Sequence, residues 1–274
     1  MGSFSLDRRR AGRLALKGAA GLALCYILTP LFFVTWLSFY SQEIPSYPPE
    51  GYSFKWYRSV LDNDRFISGF LLSAQLGFMA TLIGLAMGVP AALAIARLRF
   101  PGRETLNSLL LMPLTVPGVV LGLSMFVFHI ETEIATGISL RGSRLGLITG
   151  HVLIVIPWIV RLVTASLAGS DLTLEEAAQN LGADRWATFR RVTLPSILPG
   201  IVAATLFSFV VSFGNLEMTL FLIGPGSTTL PIAILQELLW KIDPTIAAVS
   251  VMQILLIGSA MLLTDRFVKI SRVV

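Results

Sequence analysis

The residues of this chain able to do covalent or metal chemistry are few: two histidines, His129 and His151, and one cysteine, Cys25. The histidines fall in different apolar runs with no cysteine or carboxylate at metal-ligand spacing, so they read as packing or membrane-interface groups and no metal site is expected. Cys25 sits inside an apolar run, where a buried thiol is inert. No lysine is followed by Ser or Thr, so the Gly-x-x-x-x-Gly-Lys-Ser/Thr loop that cradles a nucleotide is absent. No nucleophile, base and orienting group are matched within the apolar runs, which argues against an intramembrane enzyme. The chemistry left is recognition. In "FSFVVSFGNLEMTLFLIGPG", Ser212, Asn215 and Glu217 are polar groups in an oily stretch. A carboxylate there is costly to bury, and Glu217 facing a translocation path would attract a cationic or zwitterionic solute. Solvation at the outer interface, or pairing with another subunit, accounts for it equally well.

A second polar feature has mechanical rather than chemical potential. "SDLTLEEAAQNLGADRWATFRRVTLP", residues 170–195, is a charged island between apolar runs. Thr173 and Glu176 have capping-box spacing, which predicts a helix beginning at Leu174. Leu174, Ala177, Ala178 and Leu181 recur on one face of that helix. Gly182 stands where a left-handed residue would end it, and Asp184 is placed to cap a second short helix carrying Trp186 and Phe189. The alanines leave room for close approach, and Glu175 and Glu176 put negative charge at a positive helix end. An amphipathic loop lying on headgroups would share some of these features.

The elements that position these groups are membrane helices. The chain has 274 residues, 54% hydrophobic and only 14% charged, with a mean hydropathy of +0.76. That composition leaves no room for a separate soluble core. Apolar runs near 14–40, 68–96, 105–129, 145–168, 196–223 and 244–264 are each long enough for a hydrocarbon core of about 30 Å. Only helices satisfy their own backbone there, so the fold class is all-α integral membrane with six transmembrane helices. Pro30, Pro90, Pro117 and Pro157 are expected to kink these helices rather than end them. Gly77, Gly84 and Gly88 offer a close helix contact, with a partner subunit as one candidate.

The net charge of +5 comes from Lys and Arg gathered at helix ends, so membrane topology rather than nucleic-acid binding explains it. Arg8, Arg9, Arg10, Arg13 and Lys17, then Arg97, Arg99 and Arg103, then Arg185, Arg190 and Arg191, then Arg266, Lys269 and Arg272 fall on one side. That side is the cytoplasm by the positive-inside rule, which puts both termini and the island inside. The first run, with its basic lead, is too long for a signal peptide and reads as an uncleaved helix. The loop at 41–66 is then outside, with Trp56 and Tyr57 on an amphipathic piece at headgroup level.

"EAAQNLGADRWATFRRVTLP" resembles the EAA motif of permease subunits in binding-protein-dependent ABC importers. Glu176, Ala177, Ala178, Gly182, Leu194 and Pro195 fill its fixed positions, and Val192 stands where isoleucine is usual. The resemblance implies a type I ABC-importer permease fold: a five-helix core over 68–264, a coupling helix at about 173–193, an N-terminal region 1–67 with an added helix, and a cytoplasmic tail at 265–274. It further implies that Glu175, Glu176, Ala177, Ala178, Leu181, Gly182, Leu194 and Pro195 engage a cytoplasmic ABC ATPase dimer, which binds ATP and Mg; no cofactor is expected on this chain. A second homologous permease completing a heterodimer, an extracytoplasmic solute-binding protein and a bacterial inner membrane follow from the same resemblance. "PPEGYSFKWY" and "GPGSTTLPIAI" look most like the spermidine/putrescine-type branch, implying a polyamine, 4-aminobutyrate or related amino solute. That branch often has acidic residues after the Ser-Phe matching Ser212-Phe213, and this chain has Gly214 and Asn215, which weakens the case for a strongly cationic polyamine. Importers of amino acids, aminophosphonates or ferric iron are the alternatives. A stand-alone secondary transporter is disfavoured by the scarcity of intramembrane charge.

Overall fold

Long apolar runs without internal polar partners must close their hydrogen bonds locally, and the computed structural model, which describes residues 3–241 and 243–268, is helical accordingly. The helices are α1 (Ser3–Leu37), α2 (Lys55–Leu61), α3 (Asp64–Arg97), α4 (Arg103–Leu111), α5 (Gly118–Thr136), α6 (Arg144–Ala168), α7 (Leu172–Asn180), α8 (Arg185–Thr188), α9 (Leu194–Phe213), α10 (Thr219–Leu222), α11 (Leu230–Trp240) and α12 (Thr245–Val268). Among the described residues, six stretches are long and apolar enough to cross a membrane: Gly12–Leu37, Asp64–Arg97, Gly118–Thr136, Arg144–Ala168, Arg185–Phe213 and Thr245–Leu262. The end of the expected tail, 269–274, with Lys269 and Arg272, lies outside the described residues.

Two expectations about these spans fail. The third span does not run through 105–129: α4 tightens into a 3-10 turn at Met112–Leu114, and α5 starts afresh at Gly118 behind an extended Pro117 (ψ 137°). Pro113 and Pro117 remove donors from successive turns, and a proline disfavours helical geometry in the residue before it, so Pro117 ends a helix instead of kinking one. Pro30, Pro90 and Pro157 do sit inside continuous helices. The fifth span stops at Phe213 rather than 223, because Gly214 and Asn215 open a non-helical break before α10.

The chain divides into two units, one of residues up to Asn63 with Glu237–Ile254, the other of Asp64–Gln236 with the residues after Ile254. In the first, Tyr40 and Tyr52 form an antiparallel bridge. Trp56 is buried, and its indole donates to the Tyr40 carbonyl at 2.6 Å. The Tyr57 and Ser38 hydroxyls lie 2.6 Å apart. Trp56 is therefore held inside this unit by a hydrogen bond, not laid on a lipid surface as its position beside Tyr57 suggested.

The second unit is built on α3, α6 and α9. Ala80 and Ala92 of α3, Val155, Ile159 and Val163 of α6, and Ile197 and Ala204 of α9 are fully buried. Small residues on α3 let the helices approach closely. A methyl group at Gly84 would come within 2.8 Å of Val155 Cγ2, and one at Gly88 within 2.8 Å of Ile159 Cγ2. Gly77 meets the Phe209 ring of α9 in the same way. These glycines thus serve packing within this chain rather than contact with a partner subunit.

Candidate functional site

The island between α6 and α9 satisfies its backbone from its own residues. The Asp171 side chain accepts from the Thr173 N–H at 2.9 Å, and α7 begins at Leu172. This corrects the capping box expected at Thr173 and Glu176. Asp171 accepts the free N–H two residues on, so Thr173 is already inside the first turn. That hydrogen bond holds the Asp171 carboxyl below its ordinary pKa. At the other end the Gly182 N–H donates to the Gln179 carbonyl at 2.9 Å and the Ala183 N–H to the Ala178 carbonyl at 3.1 Å. Gly182 has φ +89°. These are the two bonds of a Schellman turn, which needs a left-handed residue and so favours glycine. Asp184 then caps α8 by accepting from the Ala187 N–H at 2.6 Å.

Beyond α8 the helix widens into a π turn over Phe189–Thr193, closed by the Leu194 N–H on the Phe189 carbonyl. Pro195 cannot donate, and its ring would strike the carbonyl four residues back in a regular helix. A π turn accommodates it and carries α8 without interruption into the span. The coupling candidates therefore fall into two groups. Glu175, Glu176, Ala177, Ala178, Leu181 and Gly182 share one short helix and its turn, while Leu194 and Pro195 begin α9.

No residue of α7 is buried. Leu181 is 90% exposed and Trp186 68%, so a self-capped helix pair presents apolar side chains at its surface, Trp186 resting on one side against the Phe189 ring, 5.6 Å between centroids. Glu176 and Ala177 are exposed. Glu175 is not free: Arg97 Nη2, at the end of α3, donates to its carboxylate at 2.8 Å and to Ser170 Oγ at 2.7 Å. Sequence offers no signal for that pair, whose members are 78 residues apart.

The break after Phe213 is organised differently. His151 Nδ1 lies 2.7 Å from Ser212 Oγ, and its Nε2 lies 3.2 Å from Thr219 Oγ1. Thr219 Oγ1 in turn donates to the Asn215 carbonyl at 2.9 Å. His151, Ser212 and Thr219 are all buried, so the non-helical turn is held by a satisfied polar network whose centre comes from α6. Glu217 is exposed, and its carboxylate lies over Gly118, the first residue of α5, so closely that any side chain there would collide with it. A carboxylate at the positive end of a helix is electrostatically favoured. Of the three path candidates, Ser212 and Asn215 are joined through His151 and Thr219, while Glu217 stands apart and open. Sequence reasoning takes His151 only as a packing or interface group and does not single out Thr219, because nothing local links residues 68 apart.

Buried, glycine-packed apolar helices of spanning length, interrupted by a self-capped polar helix pair, define a multi-pass membrane protein. Residues 65–272 match the family described as binding-protein-dependent transport system inner membrane component, and the chain belongs to that family: it is a permease subunit of an ABC importer. It is 28% identical over 230 residues to the putrescine transport system permease protein PotI of Escherichia coli (strain K12), spanning 84% of this chain and 82% of that protein. It is 29% identical over 222 residues to the putative 2-aminoethylphosphonate transport system permease protein PhnV of Salmonella paratyphi A, spanning 80% and 82%. Among solved structures, a bacterial alginate ABC transporter bound to its pentasaccharide-loaded periplasmic protein aligns with a TM-score of 0.71 at 18% identity, over 95% of each chain. The inward-facing MetNI methionine ABC transporter aligns at 0.62 and 22% identity, over 77% of this chain and 96% of that one. At such identities these two structures bear on the fold alone.

Proposed function

We propose that this chain forms half of the translocation path of an importer for a small amine-bearing solute, and that the island of residues 170–188 is where an ABC ATPase grips it. The observation that carries the coupling reading is the exposed, self-capped α7 with Leu181 and Glu176 open to a partner. Closure of an ATPase pair on ATP and Mg would push this helix and its counterpart on a second, homologous permease, turning the shared cavity from one side of the membrane to the other. An extracytoplasmic binding protein would deliver the solute. The Lys and Arg distribution supports a bacterial inner membrane topology with both termini and the island in the cytoplasm.

For the solute, the names of these and related permeases join putrescine, spermidine and 2-aminoethylphosphonate, which share a primary amine. Glu217 is the single carboxylate in the break at 214–218, a complement to one ammonium group. A monoamine or zwitterion such as 4-aminobutyrate or an aminophosphonate therefore fits better than a polycation.

The coupling test is co-purification. Changing Glu176→Lys with Gly182→Ala is expected to release the ATPase while the chain still inserts and folds; an ATPase that stays bound would contradict the assignment. The solute test compares cells with and without the gene in a mixture of polyamines, 4-aminobutyrate, amino acids, aminophosphonates and sugars, followed by mass spectrometry. Persistence of an amine-bearing solute only in the deletion strain is expected, and persistence of a sugar would overturn the solute class.

A further inference from the structure

Adjacent glutamates on α7 face different surroundings. Glu176 is exposed and in no ion pair among the described residues. Glu175 and Arg97 are only 17% and 19% exposed and sit 2.8 Å apart. The same Arg97 nitrogen donates to Ser170, whose hydroxyl donates to the Leu167 carbonyl in the last turn of α6 at 2.8 Å. One guanidinium thus ties the last turn of α3, Ser170 two residues beyond α6 and the first turn of α7. Its geometry suits two acceptors at once. Both charges also lie at the favourable ends of their helices, the cation at the C-terminus of α3 and the anion at the N-terminus of α7.

Away from this point α7 and α3 are not in close register. A groove of about 370 Å³ lies there, lined by Leu93 and Ala94 of α3 and Leu98 just beyond it, and by Gln179, Arg185 and Phe189. The ion pair spans the edge of that groove. Displacement of α7 therefore reaches α3 through this pair, and α3 is the helix whose glycines lock against Val155 and Ile159 of α6. Because both partners are largely shielded, their attraction is stronger than that of a surface pair and resists screening.

We propose that Arg97, holding Glu175 and Ser170 on one nitrogen, is a positioning residue that carries movement of α7 into α3, and that without it the partner ATPase hydrolyses ATP without moving solute. The proposal rests on the coupling role given to α7 above. Glu176 meets the partner, and Glu175 belongs to the transmission behind it.

The test uses the whole transporter, this chain with its companion permease, ATPase and binding protein, in proteoliposomes carrying the solute found by the depletion experiment. ATPase co-purification, ATP hydrolysis and solute moved per ATP are measured together. Arg97→Ala is expected to keep the ATPase bound and to lower solute per ATP by about tenfold, the scale of a typical coupling between sites. Glu175→Gln, which keeps shape and loses charge, should fall in between, and Arg97→Lys should recover most of the coupling. Unchanged solute per ATP in Arg97→Ala overturns the proposal, as does loss of the ATPase, which would make Arg97 part of the docking surface. If Arg97→Ala fails to insert, Glu175→Gln decides by the same ratio. The coupling reading fails separately: the variant with Glu176→Lys and Gly182→Ala would then retain its ATPase, whatever the Arg97 variants do.

Discussion

Two polar interruptions break the apolar helices of the Asp64–Gln236 unit, and they are closed in opposite ways. The island at 170–188 ends its helices with its own Asp171, Gly182 and Asp184. The break at 214–218 takes its centre from another helix, through His151 between Ser212 and Thr219. A segment that satisfies itself is free to be held from outside, whereas one that depends on a distant side chain is fixed to its own fold. The island is accordingly exposed, and the break is buried on the side that faces α6.

The largest expected effect breaks this contrast at the buried end. His151→Ala leaves the buried Ser212 hydroxyl without its imidazole partner, at about 1–3 kcal/mol for one unsatisfied buried group, while Thr219 keeps its bond to the Asn215 carbonyl. Thermal unfolding in detergent should show a clear loss, and an unchanged midpoint would mean that the break closes without α6. Gly182→Ala comes next. An L side chain at φ +89° costs about 1–2 kcal/mol, so the turn between α7 and α8 should fray; limited proteolysis near 182 would detect it. Smaller again, Leu181→Ser should leave unfolding within about 0.5 kcal/mol, as for an ordinary surface change, while weakening ATPase co-purification. Stability loss without loss of the ATPase would reverse the assignment of that face.

The smallest effect concerns acid. The Asp171 carboxyl is held below its ordinary value of 3.8 by the Thr173 N–H. The cap's contribution is therefore present above that value and lost as pH falls below it, through the folded-state pKa. Exchange of the Thr173 amide, corrected for its intrinsic rate, should quicken only in that acid window. Asp171→Asn should remove the pH dependence while keeping an acceptor.

Six membrane spans were legible because length and hydropathy suffice to define them, and the Schellman turn was legible from Gly182 because few other residues take its geometry. Asp184 was found for the same local reason. Asp171 was missed because Thr173 and Glu176 satisfy a capping-box spacing equally visible in sequence, and only the start of the helix decides between them. Pro117 was misjudged because a membrane proline kinks or ends a helix according to whether neighbours supply the missing hydrogen bonds. Arg97 with Glu175, and His151 with Ser212, were out of reach: each pair joins residues brought together only by the packing of α3, α6 and α9.

Hydrogen–deuterium exchange of the permease with and without its ATPase tests the central claim most directly. The island account predicts that amides of 172–183 become protected when the ATPase is added, while those of 214–218 keep their rates. Unchanged exchange across 172–183 in a complex shown to be assembled would contradict it.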